Sequence, residues 1–99
     1  MLYMIYGQDA EASLALRLRA RDAHLGRIRE LLEVGRLVLA GPLPAIDAED
    51  PGPAGFAGSL IVAEFDSLIE AQAWADADPY IDAGAWVRAE VRPFVQACP

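Results

Sequence analysis

Four short runs of apolar, β-branched and aromatic residues punctuate this chain, with a helix-forming segment after the first and another after the third. That order, β-α-β-β-α-β, leaves few folds open, because each helix must return the chain to a shared sheet and bury its apolar stripe there. The first run, residues 2–8, carries Tyr3, Ile5 and Tyr6 and reads as a strand covered on both faces. Asp9 is positioned to cap a helix. Residues 9–34 are expected to form a short helix, a bend near Arg19–Arg21 and a main helix to Val34, stopped by Gly35. In the main helix Leu25, Ile28, Leu31 and Leu32 form the apolar stripe, while Arg27, Arg29, Glu30 and Glu33 face solvent. Stepping the stripe back by three and four residues reaches His24 and Arg21. Two polar groups thus occupy the start of an apolar face.

Residues 37–43 form the second strand. Residues 42–58 then hold Pro42, Pro44, Pro51, Pro53, Gly52, Gly55 and Gly58 with the acidic Asp47, Glu49 and Asp50. That density of proline and glycine excludes a helix and most sheet pairing. Such a segment is a lid, a binding loop or a plain solvated connection. Residues 59–65 give the third strand, with Ser59, Ile61, Ala63 and Phe65 on one face and Leu60, Val62 and Glu64 on the other. Ser67-Leu68-Ile69-Glu70 is a capping box opening a helix to about Asp76. Asp78-Pro79 starts a short helical turn stopped by Gly84, and residues 85–95 form the last strand. The expected fold is α+β, ferredoxin-like, with one antiparallel sheet and helices on one face, over a single domain of residues 1–99. Its other face would expose Leu60, Val62 and Trp86. Exposed apolar area of that kind marks interfaces, so a homodimer packed through the open sheet face is expected.

Charge narrows the partners. Fifteen Asp and Glu against eight basic residues give a net charge of −7. An acidic surface repels nucleic-acid backbones and anionic lipid, so neither nucleic acid nor membrane is an expected partner. The first residues lack a secretory signal pattern, and the only cysteine, Cys98, cannot form an internal disulfide; a cytoplasmic protein is expected. One histidine cannot build a His-rich metal site, and no GxGxxG, Walker or HExxH pattern occurs. Neither metal nor cofactor is therefore expected.

His24 is the strongest candidate for chemistry, because imidazole exchanges protons near neutral pH. Its structural alternative is a half-buried ring bonded to a carbonyl. Asp78 precedes a proline and is by position an N-cap, yet a capping carboxylate can also hold an imidazole in one tautomer. Ser59 opens the central strand on the face beneath the helices. Tyr6 reads as core or pocket wall, and Trp74 and Trp86 as packing.

At this point the residues match a known family. Met1–Asp9, Arg21-Asp-Ala-His24-Leu, Gly35-Arg-Leu-Val-Leu-Ala-Gly41-Pro42, Ala54-Gly-Phe56-Ala-Gly58-Ser59, Ala71-Gln-Ala-Trp-Ala-Asp-Ala-Asp78-Pro79-Tyr80 and Arg92-Pro93-Phe94 occur in order and at the right spacing. The chain resembles the YciI-like (YCII-related) family, and looks very similar to its small stand-alone members. The resemblance implies a dimeric α+β barrel and a pocket with a His/Asp pair as catalytic centre. That pair maps onto His24 and Asp78, with Ser59 and Arg21 nearby; Gly41, Pro42 and Tyr6 are further candidates for binding the substrate. It also implies a small-molecule ligand, since some relatives are dehydrochlorinases acting on chlorinated hydroxyhydroquinones. Leu43 and the terminal Val95-Gln-Ala-Cys-Pro99 depart from the family pattern. Two readings follow: a metal-independent, lyase-like acid–base enzyme, or a non-catalytic protein that binds a small molecule or a partner.

Overall fold

The computed structural model describes residues 1–99. In chain order the elements are β1 (Leu2–Asp9), α1 (Leu14–Glu33), β2 (Leu37–Pro44), a 3₁₀ turn (Gly52–Ala54), β3 (Phe56–Glu64), α2 (Leu68–Asp76), α3 (Pro79–Asp82) and β4 (Trp86–Phe94). The four strands make one antiparallel sheet in the order β2-β3-β1-β4. The architecture is α+β. The 3₁₀ turn and α3 are additions to the bare β-α-β-β-α-β string.

The core lies between the sheet and the helices. Tyr3 and Ile5 of β1, and Ile61 and Ala63 of β3 with Phe65 just beyond it, project from one side of the sheet. They meet Ile28 and Leu31 of α1 and Ala71 and Ala75 of α2. The β3 face read from alternation is the buried one. Ala71 and Ala75, both fully buried, let α2 approach closely. Ser67 caps α2 by accepting from the Glu70 amide at 3.1 Å, as the capping box requires. Gly35, at φ +74°, ends α1. The Arg36 amide returns to the Leu31 carbonyl and the Gly35 amide to that of Leu32, a Schellman turn whose left-handed residue suits glycine.

Four expectations are corrected. First, α1 is one unbroken helix of 20 residues with no bend at Arg19–Arg21, and its N-cap is Ser13, not Asp9. Asp9 is the last residue of β1, where Arg17 and Ser13 use its carboxylate. Second, Leu32 is 61% exposed and Arg27 is half-buried, so the inward stripe runs through Arg17, His24, Ile28 and Leu31. Third, Pro42 and Pro44 do pair with β3, opposite Ser59 and Phe56. Since β2 is an edge strand, their missing amides can face away from the ladder. The irregular connection is thereby shortened, because β2 runs to Pro44 and β3 begins at Phe56.

The fourth correction is Trp86, which faces the helices and is 2% exposed. The ladder between β1 and β4 shifts register between Gln8 and Asp9: Gln8 lies opposite Arg88, and Asp9 opposite Trp86. Val87 is the extra residue of a β-bulge, so the alternation reverses there and the indole turns inward. Gly7 makes the room. Any Cβ at Gly7 would overlap the Trp86 ring. The open face carries Met4, Tyr6, Leu60 and Val62 with Leu39 and Leu43 of β2 and the charged Arg88, Glu90 and Arg92. No helix is long and apolar enough to cross a membrane.

Candidate functional site

α1 packs against β2 and α3, and Ser59 and Ile61 of β3 complete the wall beside them. A cavity of about 240 Å³ opens between them. Its apolar walls are Leu25, Ile28, Leu37, Ala40 and Ile61, and its polar ones Arg17, Arg21, His24, Ser59 and Tyr80, with Gly41 and Pro42 closing the β2 side. Drug-sized ligands occupy pockets of about 300–1,000 Å³, so this one suits a smaller molecule.

His24 is 5% exposed and is held on every side but one. Its ring stacks on Tyr80, with centroids 3.9 Å apart and planes 8° apart. The edge of Trp86 meets it at 5.4 Å. Nδ1 lies 2.8 and 2.9 Å from Oδ1 and Oδ2 of Asp78, 54 residues away in sequence. Nε2 makes no hydrogen bond within the protein and is not sealed from the cavity that His24 lines.

Asp78 is fully buried and does two jobs at once. It caps α3, accepting from the Tyr80 amide at 2.9 Å, while receiving the His24 ring. Nη1 of Arg27 stands 3.5 Å from Oδ2, an ion pair without a hydrogen bond. The Arg27 guanidinium lies over Trp74, and its Nη2 donates to the Trp74 carbonyl at 2.6 Å. Burial lowers the Arg27 pKa from its ordinary value, against the opposing pull of Asp78 and Glu30; an arginine so placed keeps its charge. With Asp78 balanced by Arg27, the carboxylate does not require a charged imidazole. Nδ1–H donating to Asp78 leaves the Nε2 lone pair toward the cavity, the arrangement of a general base.

Arg17 went unread in the sequence. It is 7% exposed, with Nε 2.6 Å from Asp9 Oδ2 and Nη2 2.7 Å from Oδ1, a bidentate pair. Nη2 also donates to the Gly58 carbonyl at 2.9 Å and to Ser59 Oγ at 2.8 Å. Ser13 Oγ donates to the same Asp9 carboxylate at 2.5 Å. Arg17 therefore ties the end of β1 to the start of α1 and to β3, and it aims the Ser59 hydroxyl. A further step of seven residues back from His24 reaches it on the same helix face. Tyr80 also went unread, although it sits two residues from Asp78.

The structure brings His24, Asp78, Ser59, Arg21, Gly41 and Pro42 to one place, with Asp78 behind His24 and the other five lining the cavity. Tyr6 is the exception. Even-numbered positions of β1 point to the open face, where Tyr6 lies opposite Leu60 and Glu90. Leu43 falls on that same far face, so its departure from the family pattern does not touch the cavity. Cys98 is exposed and remote in sequence from every site residue.

Tyr80 links this site to pH. Burial raises its hydroxyl above the ordinary value of 10.0 and Asp78 adds to this, while Arg17 and Arg21 oppose it. The unfolded chain loses that proton first, so the folded state is favoured below pH 10 and the contribution is lost as pH rises toward the raised value. Urea denaturation from pH 9 to 11 is expected to show falling stability, and Tyr80→Phe to flatten that slope.

A family model for the YCII-related domain matches residues 1–95. Protein YciI of Escherichia coli O6:H1 is 57% identical over 94 residues, spanning 95% of this chain and 96% of that protein. An uncharacterized protein of Haemophilus influenzae is 46% identical over the same coverage. Among solved structures, 5-chloro-2-hydroxyhydroquinone dehydrochlorinase from Burkholderia phenoliruptrix AC1100, in complex with 2,5-dihydroxybenzoquinone, superposes with a TM-score of 0.81. It is 25% identical, covering 96% of this chain and 94% of that one. With a family model matched over residues 1–95 and relatives this similar over nearly their full length, the chain belongs to the YCII-related domain family.

Proposed function

We propose that the cavity is an acid–base catalytic site for a small oxygenated organic molecule, with His24 carrying the proton and Asp78 holding its ring. The observation that carries this reading is the buried Asp78–Nδ1 contact at 2.8 Å with Nε2 left to the cavity. A ring nitrogen fixed in one tautomer beside an apolar cavity with arginine at its edge is suited to removing a proton next to a carbonyl or enol. Arg21, with Ser59 and Arg17, would stabilise the developing oxyanion. In the lyase form of the reaction, the C–H bond breaks and its proton goes to Nε2. The electron pair forms a double bond, and a leaving group such as chloride departs with its own bonding pair. The imidazolium then returns its proton to water. The dehydrochlorinase that shares this fold is named for such a loss of HCl, which supports the class without fixing the substrate.

The test is turnover. His24→Asn is expected to cut it by about 10²–10⁴-fold, the usual range for a positioned acid or base. The assay would use wild-type protein on a chlorinated hydroxyhydroquinone, following chloride release. A bound ligand recovered unchanged by mass spectrometry, with turnover equal in both proteins, would favour a non-catalytic binding role.

The same reading places a second copy of the chain on the open sheet face. There Leu39 is 48% and Phe94 38% exposed, and the Arg92–Glu90 pair at 3.1 Å offers charges of both signs to an identical surface. A self-matching face of this kind suits a two-fold pair. Sedimentation at micromolar concentration is expected to give a dimer; a strict monomer would contradict it.

A further inference from the structure

We infer that the substrate of this site is a three-part organic anion: a compact head beside His24, an anionic group on Arg21, and an apolar arm in a second compartment beyond it. The inference deepens the acid–base reading by naming what the cavity takes, and it rests on that reading only for calling the occupant a substrate.

A second hollow of about 160 Å³ lies between Leu14, Leu18 and Phe56. It shares Arg17, Arg21, Pro42 and Tyr80 with the cavity at His24, so the two adjoin through those residues. The layout follows from α1. Leu14, Leu18, Arg21 and Leu25 are spaced by four, three and four residues, one stripe along the helix. Travelling along it, a ligand would meet apolar wall, then a cation, then the apolar wall opposite Ser59.

Arg21 is the charge left over. Arg17 is neutralised by the bidentate Asp9 carboxylate, and Arg27 sits against Asp78. Arg21 has neither a carboxylate within 4.0 Å nor a side-chain hydrogen bond, and it lines both hollows. The combined site thus carries one unspent positive charge between two apolar compartments, in a chain whose net charge is −7. A long-range field of that sign repels anions, so a local guanidinium at the junction is what would retain one. Side chains three apart on a helix have Cβ atoms about 5–6 Å apart. An anion on Arg21 and a head beside His24 can therefore belong to one small molecule.

The test is a binding series on the full chain, followed by tryptophan fluorescence, since Trp86 packs against His24 and Tyr80. The probes are phenylacetate, 2-phenylhexanoate and 2-phenylhexanamide. The butyl arm is expected to tighten binding at least about tenfold, given the value of burying several methylenes. Replacing carboxylate by amide is expected to weaken it at least about tenfold, as the loss of a charge-assisted contact does. Arg21→Gln should close the gap between acid and amide. Leu18→Trp, at a position 71% exposed and so tolerant of bulk, should remove the gain from the arm. Equal affinity of wild-type protein for acid and amide, no gain from the arm, or no binding of any probe at millimolar concentration would overturn the inference. These are binding measurements, so they stand or fall separately from the loss of turnover in His24→Asn.

Discussion

Asp78→Asn is expected to leave a folded protein whose turnover is lower by about 10³–10⁴-fold, the scale on which a misoriented tautomer disables an imidazole base. The carboxylate now receives Nδ1–H of His24 and the Tyr80 amide, and it faces the Arg27 guanidinium. An amide has one acceptor oxygen for those demands. If that oxygen stays with the Tyr80 amide and Arg27, the NH₂ group is left to face Nδ1. The ring then accepts at Nδ1 and carries its proton on Nε2, where a base needs a lone pair. Arg27 also loses its countercharge in a half-buried position, which adds a stability cost of about 1–3 kcal/mol. Two measurements check this: chloride release from a chlorinated hydroxyhydroquinone, and the ¹⁵N chemical shifts of the His24 ring. A ring still protonated at Nδ1 together with unimpaired turnover would remove Asp78 from the mechanism.

The second large effect concerns folding. Asp9→Ala is expected to destabilise the protein by about 3–5 kcal/mol, because it strands a buried guanidinium without its partner. The side chains of Arg17 and Asp9 are 9% and 1% exposed, so water cannot take over the lost contact cheaply. Against a total stability of about 5–15 kcal/mol for a typical domain, that loss is large enough to populate unfolded chains at ordinary temperature. Removing both charges is a different experiment. Asp9→Leu with Arg17→Met exchanges an ion pair for apolar packing and is expected to recover most of the loss. Urea midpoints for Asp9→Leu, Arg17→Met and the double variant give the coupling directly. A double variant as unstable as the sum of the singles would mean that the pair is not the reason. Turnover in the double variant is expected to fall even where stability returns, since Ser59 Oγ loses the donor that aims it.

What could be read from the residues was local. The four strand runs, the Ser67 capping box, the Gly35 stop and the buried face Ser59-Ile61-Ala63-Phe65 follow from periodicities of two and 3.6 and from cap chemistry, which neighbouring residues dictate. Asp78 as an N-cap was legible in the same way; its approach to His24 was not, and it came from the family resemblance. The capping role and the imidazole contact prove to be compatible, because a carboxylate has lone pairs for both. The Asp9–Arg17 pair escaped because Asp9 looks like a helix cap and because the polar stripe was followed back only as far as Arg21. An ion pair formed across a strand–helix junction leaves no periodic trace. Trp86 was assigned to the wrong face for a sharper reason. Alternation assumes that every residue of β4 is paired, and the bulge at Val87 breaks that assumption. Tyr6 was misplaced by residue type: aromatic character suggested a pocket wall, where parity along β1 already put it opposite Glu90.

The unpaired Val87 makes the length of this strand as consequential as its composition. Deleting that one residue would restore an even ladder, evert the indole of Trp86 into solvent and unroof the imidazole it now abuts. Most side-chain exchanges at the 59%-exposed Val87 should pass unnoticed, whereas the loss of a single codon there should not. Val87→Ala is expected to keep the stability read from the urea midpoint within about 0.5 kcal/mol of wild type, and deletion of Val87 to lower it sharply.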